Sequence, residues 1–142
     1  MNNSLLNFSK KFHKSLLISL LITFLSISNF DDLGVPAQFF FPGSDKIIHF
    51  IMYFTLSLVF TLEYYYFAIN SNKRKLIFIN LLPLLLSISF EFIQEFFTTS
   101  RNGSFYDEIF NIVGILTAIP TFYTIKNWRF VKTIIIFPFK AA

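Results

Sequence analysis

The chain has 142 residues, enough for one domain and too few for two of ordinary size. Apolar residue types make up 54% of it and charged types 14%, against about 25% in soluble domains, and the mean hydropathy is +0.60. This composition excludes a disordered chain and argues against a soluble globule. The absence of cysteine excludes a disulfide scaffold, a thiolate metal site and a cysteine nucleophile.

Four apolar stretches are candidates for membrane-spanning helices, each of which needs about 20 residues. They run from about 15 to 30, 47 to 69, 76 to 97 and 109 to 125. The first is short and diluted by Ser and Thr, and the third contains Pro83 near its start, where a membrane helix tolerates a kink. A final apolar piece at 133–139 is too short to span and indicates an interfacial segment. The sequence predicts an all-α, polytopic integral membrane protein with four transmembrane helices.

The basic residues predict the orientation of these spans. Only Lys46 and Arg101 fall on one side of the predicted membrane, and ten basic residues fall on the other: Lys10, Lys11, Lys14, Lys73, Arg74, Lys75, Lys126, Arg129, Lys132 and Lys140. By the positive-inside rule, the side with ten is cytoplasmic. We therefore expect a cytoplasmic N-terminus (1–14), a membrane domain (15–125) and a basic cytoplasmic or interfacial tail (126–142).

The net charge of +4 does not indicate nucleic-acid binding, because the basic residues form small groups between apolar stretches rather than one patch. One alternative stays open at the N-terminus, where the lysines and the apolar run after them could form a cleaved signal peptide. No A-x-A-like cleavage site is present. Cleavage would leave the orientation of the second span unchanged.

Polar residues gather near the outer ends of three predicted spans. Asp45, His49 and Tyr53 are spaced i, i+4, i+8 and form one stripe of the second span, while Glu91 and Gln94 share a face of the third. The topology brings nine polar residues to one shallow layer: Asp45, Lys46, His49, Tyr53, Glu91, Gln94, Arg101, Asp107 and Asn111. Polar residues within membrane segments are costly, and their default interpretation is functional.

Structural interpretations stand beside this one. The two aspartates occupy positions where helix N-caps or first turns belong. The two basic residues could be interface anchors whose side chains snorkel to the headgroups. The polar residues of the second and third spans could form a network that only holds helices together. Gly114 most simply permits close helix packing.

The candidates for acid–base catalysis in this layer are His49, Glu91 and Asp45, since histidine titrates near neutral pH and a carboxylate can orient it. The other six residues of the layer are candidates for substrate binding. No nucleophile elbow, phosphate loop or dinucleotide fingerprint is present. A histidine with several carboxylates could bind a divalent ion, but one imidazole with no fixed ligand spacing leads us to predict no metal and no other cofactor.

Two stretches resemble the motifs of VanZ-like membrane proteins. Residues 45–54, D-K-I-I-H-F-I-M-Y-F, resemble the family motif D-K-x-x-H-F-x-x-Y. A later set resembles the second motif, E-x-x-Q…R…D-x-x-x-N-x-x-G, and comprises Glu91, Gln94, Arg101, Asp107, Asn111 and Gly114. The resemblance covers 45–114, about half of the chain. Thr98 and Thr99 stand where the family commonly has a proline before its arginine-containing loop.

The resemblance implies a small multi-pass protein of the bacterial cytoplasmic membrane, linked in its founding member to teicoplanin resistance. Two hypotheses of function follow. The first is a module that binds or modulates a cell-envelope component, with membrane lipids and a cell-wall or lipid-linked headgroup as partners. The second is an intramembrane enzyme that acts on an envelope phospholipid or polyprenyl substrate by histidine–carboxylate chemistry.

Overall fold

The protein is helical throughout the residues that its structure, a computed structural model, describes: 10–27, 43–68, 72–97 and 104–138. No strand occurs within these ranges. The helices are α1 (His13–Ile27), α2 (Ser44–Phe67), α3 (Lys73–Phe78), α4 (Leu81–Phe97), α5 (Phe105–Ile125) and α6 (Arg129–Ile136). The fold class is therefore all-α, as the sequence predicts.

Three helical segments are long and apolar enough to cross a membrane: Ser44–Phe67, Lys73–Phe96 and Phe105–Ile125. Helix α1 is apolar but has 15 residues. At 1.5 Å per residue it would extend about 22 Å, less than the roughly 30 Å of a hydrocarbon core. Many large apolar side chains on these helices point outward, among them Leu20, Leu85 and Leu116. This arrangement suits a chain whose surroundings are lipid.

Two of the spanning helices begin earlier than the hydropathy pattern suggests. Helix α2 starts at Ser44, after Gly43 in the left-handed region with φ of 88°, and α5 starts at Phe105. Asp45 and Asp107 consequently lie in the first turns of their helices, where a carboxylate favours the positive end of the helix dipole. The expectation that both aspartates occupy helix N-termini is confirmed.

The apolar segment Lys73–Phe96 is interrupted between α3 and α4. Pro83 lacks the N–H that would bond to the carbonyl of Ile79, which explains an interruption about one turn before it. The buried Asn80 lies in this break and donates its amide to Thr61 Oγ1 (3.1 Å), while its oxygen accepts from the Ser57 hydroxyl. The helix is interrupted at residues 79–80, just before Pro83, and the side chain of Asn80 joins this segment to α2.

Contacts along the helices give their relative directions. His49 meets Asn111 near the starts of α2 and α5, and Tyr66 donates to the carbonyl of Lys126 near their ends, so the two helices run parallel. Glu63, near the end of α2, contacts the start of α1, so α1 runs antiparallel to α2.

The bundle therefore has two distinct ends. At the polar end lie the starts of α2 and α5 and the ends of α1 and α4. The opposite, basic end carries nine lysines and arginines of the described ranges: Lys10, Lys11, Lys14, Lys73, Arg74, Lys75, Lys126, Arg129 and Lys132.

Two apolar clusters form the core, one above the other along α2. The cluster towards the polar end contains Ile22, Tyr53, Leu56, Phe90 and Ile115. The cluster towards the basic end contains Leu62, Phe67, Leu76, Phe122 and Ile135. Ile135 belongs to α6, so this short amphipathic helix is packed against the bundle by one face.

Candidate functional site

Asn111 lies at the centre of the polar end and is fully buried, with 0% of its surface exposed. Its Oδ1 is 3.1 Å from Nδ1 of His49 on α2. Its amide nitrogen donates to Glu91 Oε1 on α4 (3.4 Å) and to Glu108 Oε2 on its own helix (3.1 Å). One side chain thus links three helices. With Asp107, these residues form what we call the polar cluster: His49, Glu91, Asp107, Glu108 and Asn111.

The approach of α2 to α5 depends on Gly114, one turn after Asn111. A Cβ at this position would lie 2.6 Å from the carbonyl oxygen of Phe50 and 3.0 Å from the amide nitrogen of Phe54. Only glycine lets the two backbones come so close. The expected packing role of Gly114 is confirmed, and its consequence is that Asn111 reaches His49.

His49 and Glu91, two of the three candidates for acid–base catalysis, lie in contact. Nδ1 of His49 is 3.5 Å from Oε1 of Glu91, and their side chains are 5% and 12% exposed. The second oxygen of Glu91 accepts the backbone N–H of Ser104 at 3.0 Å, at the start of α5. Glu91 therefore satisfies an otherwise unpaired donor of a helix N-terminus while it faces the imidazole.

Lys46 lies beside the polar cluster, and its ammonium group is near two carboxylates. Its Nζ is 3.2 Å from Oδ2 of Asp45 and 4.0 Å from Oδ1 of Asp107. Asp45 is about half exposed, with 46% of its side chain accessible, while Asp107 has 11%. Lys46 thus connects the exposed rim of the site to its interior, and Asp45 lies at the rim rather than next to His49.

Two residues absent from the sequence-based set belong to the site. Glu108 accepts from the Ser87 hydroxyl at 2.9 Å and from Asn111, and so extends the network to a second position of α4. The signal was spacing: Glu108 precedes Asn111 by three residues, and Ser87 precedes Glu91 by four, so each pair shares a helix face.

Tyr53 lies one turn deeper than His49 on the same face of α2 and is 1% exposed. Its hydroxyl has no hydrogen-bond partner among the residues that the structure describes. Glu91 and Glu108 are both near enough to act electrostatically on this hydroxyl. A buried phenol beside carboxylates that it does not touch indicates a place for a further polar group.

The remaining candidates lie elsewhere. Gln94 is buried and donates to the carbonyl of Ser26 at 2.9 Å, so it joins α4 to α1. Arg101, which shares the predicted polar layer with Asp107, lies outside the described residues.

The site also brings potential metal ligands together. One ligand atom from each of His49, Glu91 and Asp107 lies within 4.8 Å of the other two. The three belong to three different helices. Chemically, an imidazole held against a carboxylate can exchange a proton or share a cation.

Comparison with known proteins gives no relative: no protein-family model, no curated protein and no solved structure matches this chain.

Proposed function

We propose that this chain is a four-span, VanZ-like protein of a bacterial cytoplasmic membrane, with α1 as its first span and both termini in the cytoplasm. Nine lysines and arginines at the basic end support this orientation, because positively charged residues are retained on the cytoplasmic side. The polar cluster then faces the outside of the cell. The motif resemblance over 45–114 supports the same assignment.

In this orientation the function is recognition of a lipid or cell-wall headgroup at the outer leaflet, with an effect on the cell envelope. The observation that carries the proposal is the meeting of the five residues of the polar cluster, with His49, Asp107 and Asn111 buried and Glu91 and Glu108 partly exposed, among three helices at one end of the bundle. Polar groups at such depth are retained in membrane proteins where a substrate or ion needs them. Lys46 at the rim supplies a positive charge for a phosphate or carboxylate.

The test is the identity of the lipids that stay with the purified protein. The full chain is extracted in a mild detergent, and the retained lipids are identified by mass spectrometry. We expect enrichment of one envelope lipid class over the bulk membrane, reduced in Asn111→Ala and unchanged in Glu95→Gln, whose side chain is exposed on α4. Retained lipids that match the bulk composition in all three proteins would refute the proposal.

A second candidate function is the intramembrane enzyme, and the contact that favours it is the 3.5 Å approach of His49 to Glu91. In this hypothesis His49 exchanges a proton with an envelope phospholipid or polyprenyl substrate, and Glu91 orients the ring. The distinguishing measurement is chemical. Conversion of the retained lipid to a product of different mass on incubation would favour the enzyme, and an unchanged lipid would favour the binding module.

A further inference from the structure

We propose that His49, Glu91 and Asp107 bind one divalent cation of the Zn²⁺ or Mn²⁺ type, and that this cation receives the anionic headgroup. The second part rests on the proposed function, while the first stands by itself. The cation would explain how a site rich in carboxylates attracts a phosphate.

Geometry is the first argument. A ligand atom from each of the three residues lies within 4.8 Å of the other two, and the side chains of Glu91 and Asp107 are 12% and 11% exposed. Ligands of one metal ion lie about 2.0–2.2 Å from it, so small rotations of side chains already on three converging helices would close the site.

Charge is the second argument. Within the described ranges, Lys46 is the one lysine or arginine that lies at the polar end with Glu91, Asp107 and Glu108. It is shared with Asp45. Buried carboxylates are costly unless they are paired or coordinate a metal.

The Tyr53 hydroxyl gives the third and independent argument. It is buried, lies within electrostatic reach of Glu91 and Glu108, and has no hydrogen-bond partner among the described residues. A polar atom between this hydroxyl and the carboxylates would satisfy it. A water molecule on the cation would donate to the phenol oxygen and so satisfy it.

The ligand set indicates the kind of cation. One imidazole and two carboxylates suit Zn²⁺ and Mn²⁺, whereas Mg²⁺ and Ca²⁺ prefer sites made of oxygen alone. The headgroup would occupy an open coordination position, as substrates do at metal sites with three protein ligands.

The experiment measures cation binding before any lipid is added. The full chain carries an affinity tag without histidine, is stripped with EDTA in detergent, and is titrated with Zn²⁺ and Mn²⁺ by calorimetry. We expect one ion per chain and a loss of affinity of about tenfold or more in Glu91→Gln and in Asp107→Asn, the range found when metal sites lose supporting groups. Glu95→Gln is the matched control for the first variant, and His13→Gln, which alters the chain's other histidine, controls for surface imidazole.

Thermal unfolding keeps the test independent of damage to the fold. Zn²⁺ should raise the Tm of the wild type and of both controls, and should raise the Tm of Glu91→Gln and Asp107→Asn by less, even if those variants begin at a lower Tm. Equal affinities in variants and controls, or fewer than about one ion per ten chains, would overturn the cation site.

Lipid retention with and without EDTA then separates the two proposals. Cation binding without lipid enrichment contradicts the proposed function and leaves the metal site standing. Lipid enrichment that EDTA does not reduce contradicts the role of the cation and leaves the proposed function standing. Enrichment that EDTA abolishes supports both.

Discussion

Gly114 on α5 lies directly against the backbone of Phe50 on α2, so that a methyl group on Gly114 would be 2.6 Å from the Phe50 carbonyl oxygen. This contact sets the separation of the two helices that carry His49 and Asn111. A backbone atom cannot swing aside as a side chain can, so any larger residue must push the helices apart.

We expect Gly114→Ala to destabilise the protein by about 1–3 kcal/mol, the usual cost of overpacking a well-packed contact. The measurement is the midpoint of thermal unfolding in detergent. Val113→Ala, at a partly exposed neighbouring position, serves as control and should change the midpoint little. An unchanged midpoint in Gly114→Ala would show that α2 and α5 are far enough apart at this position to accept a methyl group.

The variant Glu63→Gln tests how α1 is attached to α2 at the basic end. The Glu63 carboxylate is fully buried and accepts the backbone N–H groups of Lys14 (3.0 Å) and Ser15 (3.1 Å) in the first turn of α1, together with the Ser15 hydroxyl. Hydrogen bonds to a charged group contribute about 1.5–3 kcal/mol each. We expect a lower unfolding midpoint in Glu63→Gln and a larger decrease in Glu63→Ala.

The attachment of α1 can be followed separately from global stability. A cysteine placed at Ile22, which is buried in the wild type, should react slowly with a thiol reagent and faster when Glu63→Ala is combined with it. Equal reaction rates in the two backgrounds would mean that Glu63 does not hold α1 in place.

The orientation of the protein can be measured by cysteine labelling, because the natural chain contains no cysteine. Single cysteines at Gln38 and Asn102 should react with a membrane-impermeant reagent in intact cells, and cysteines at residues 73–75 should react only after permeabilisation. The opposite pattern would place the polar cluster in the cytoplasm and remove the basis for an outer-leaflet headgroup.

Arg101 is expected to be the most sensitive basic residue if the site takes an anion. A lysine keeps the charge and loses the bidentate hydrogen bonding of the guanidinium. Arg101→Lys should therefore weaken binding of the anion, and Arg101→Ala should nearly abolish it. Loss of one charge-assisted hydrogen bond costs about 1.5–3 kcal/mol, which corresponds to roughly a ten- to hundredfold change in affinity.

The assay for Arg101 is the teicoplanin susceptibility of a sensitive host that expresses each variant at equal membrane levels. Identical susceptibility of wild type and Arg101→Ala, when both differ from the empty host, would contradict anion recognition by this residue. If the wild type leaves susceptibility unchanged, the resistance link implied by the motifs does not apply to this chain.

The meeting of His49 with Glu91 could be predicted from the sequence because the basic residues fix which helix ends lie together. Once α2 and α4 are antiparallel, residues near the start of one and the end of the other fall into one layer. The depth of each residue follows from counting 1.5 Å per position. Charge segregation and helix geometry are sufficient for this much.

The helix that each face of α4 contacts could not be predicted in the same way. Gln94 and Glu91 are three positions apart and so differ by about 60° around the axis of α4. This is enough for Glu91 to face α2 while Gln94 bonds to Ser26 of α1. Which helix lies on which side depends on packing of apolar surfaces, and the hydropathy pattern does not record it.

Two further features depend on contacts distant in the chain. Glu63 sits beside three tyrosines and so resembles part of an interfacial aromatic belt, and only the start of α1 reveals its role. The proposed metal ligands come from three helices, 42 and 16 positions apart along the chain. No local spacing motif could have marked them.

The side chain of Lys14, at the start of α1, donates to the carbonyls of Ile135 and Phe137 at the end of α6, so one ammonium group ties the two extremities of the described chain together. The start of α1 and the end of α6 therefore lie next to each other. A short linker could join the two extremities, and new chain ends could be opened between α2 and α3. In this circular permutant the linker and both new chain ends would lie at the basic end. Such a permutant would keep every contact of the polar cluster, although its order of synthesis, and hence of membrane insertion, would begin with α3.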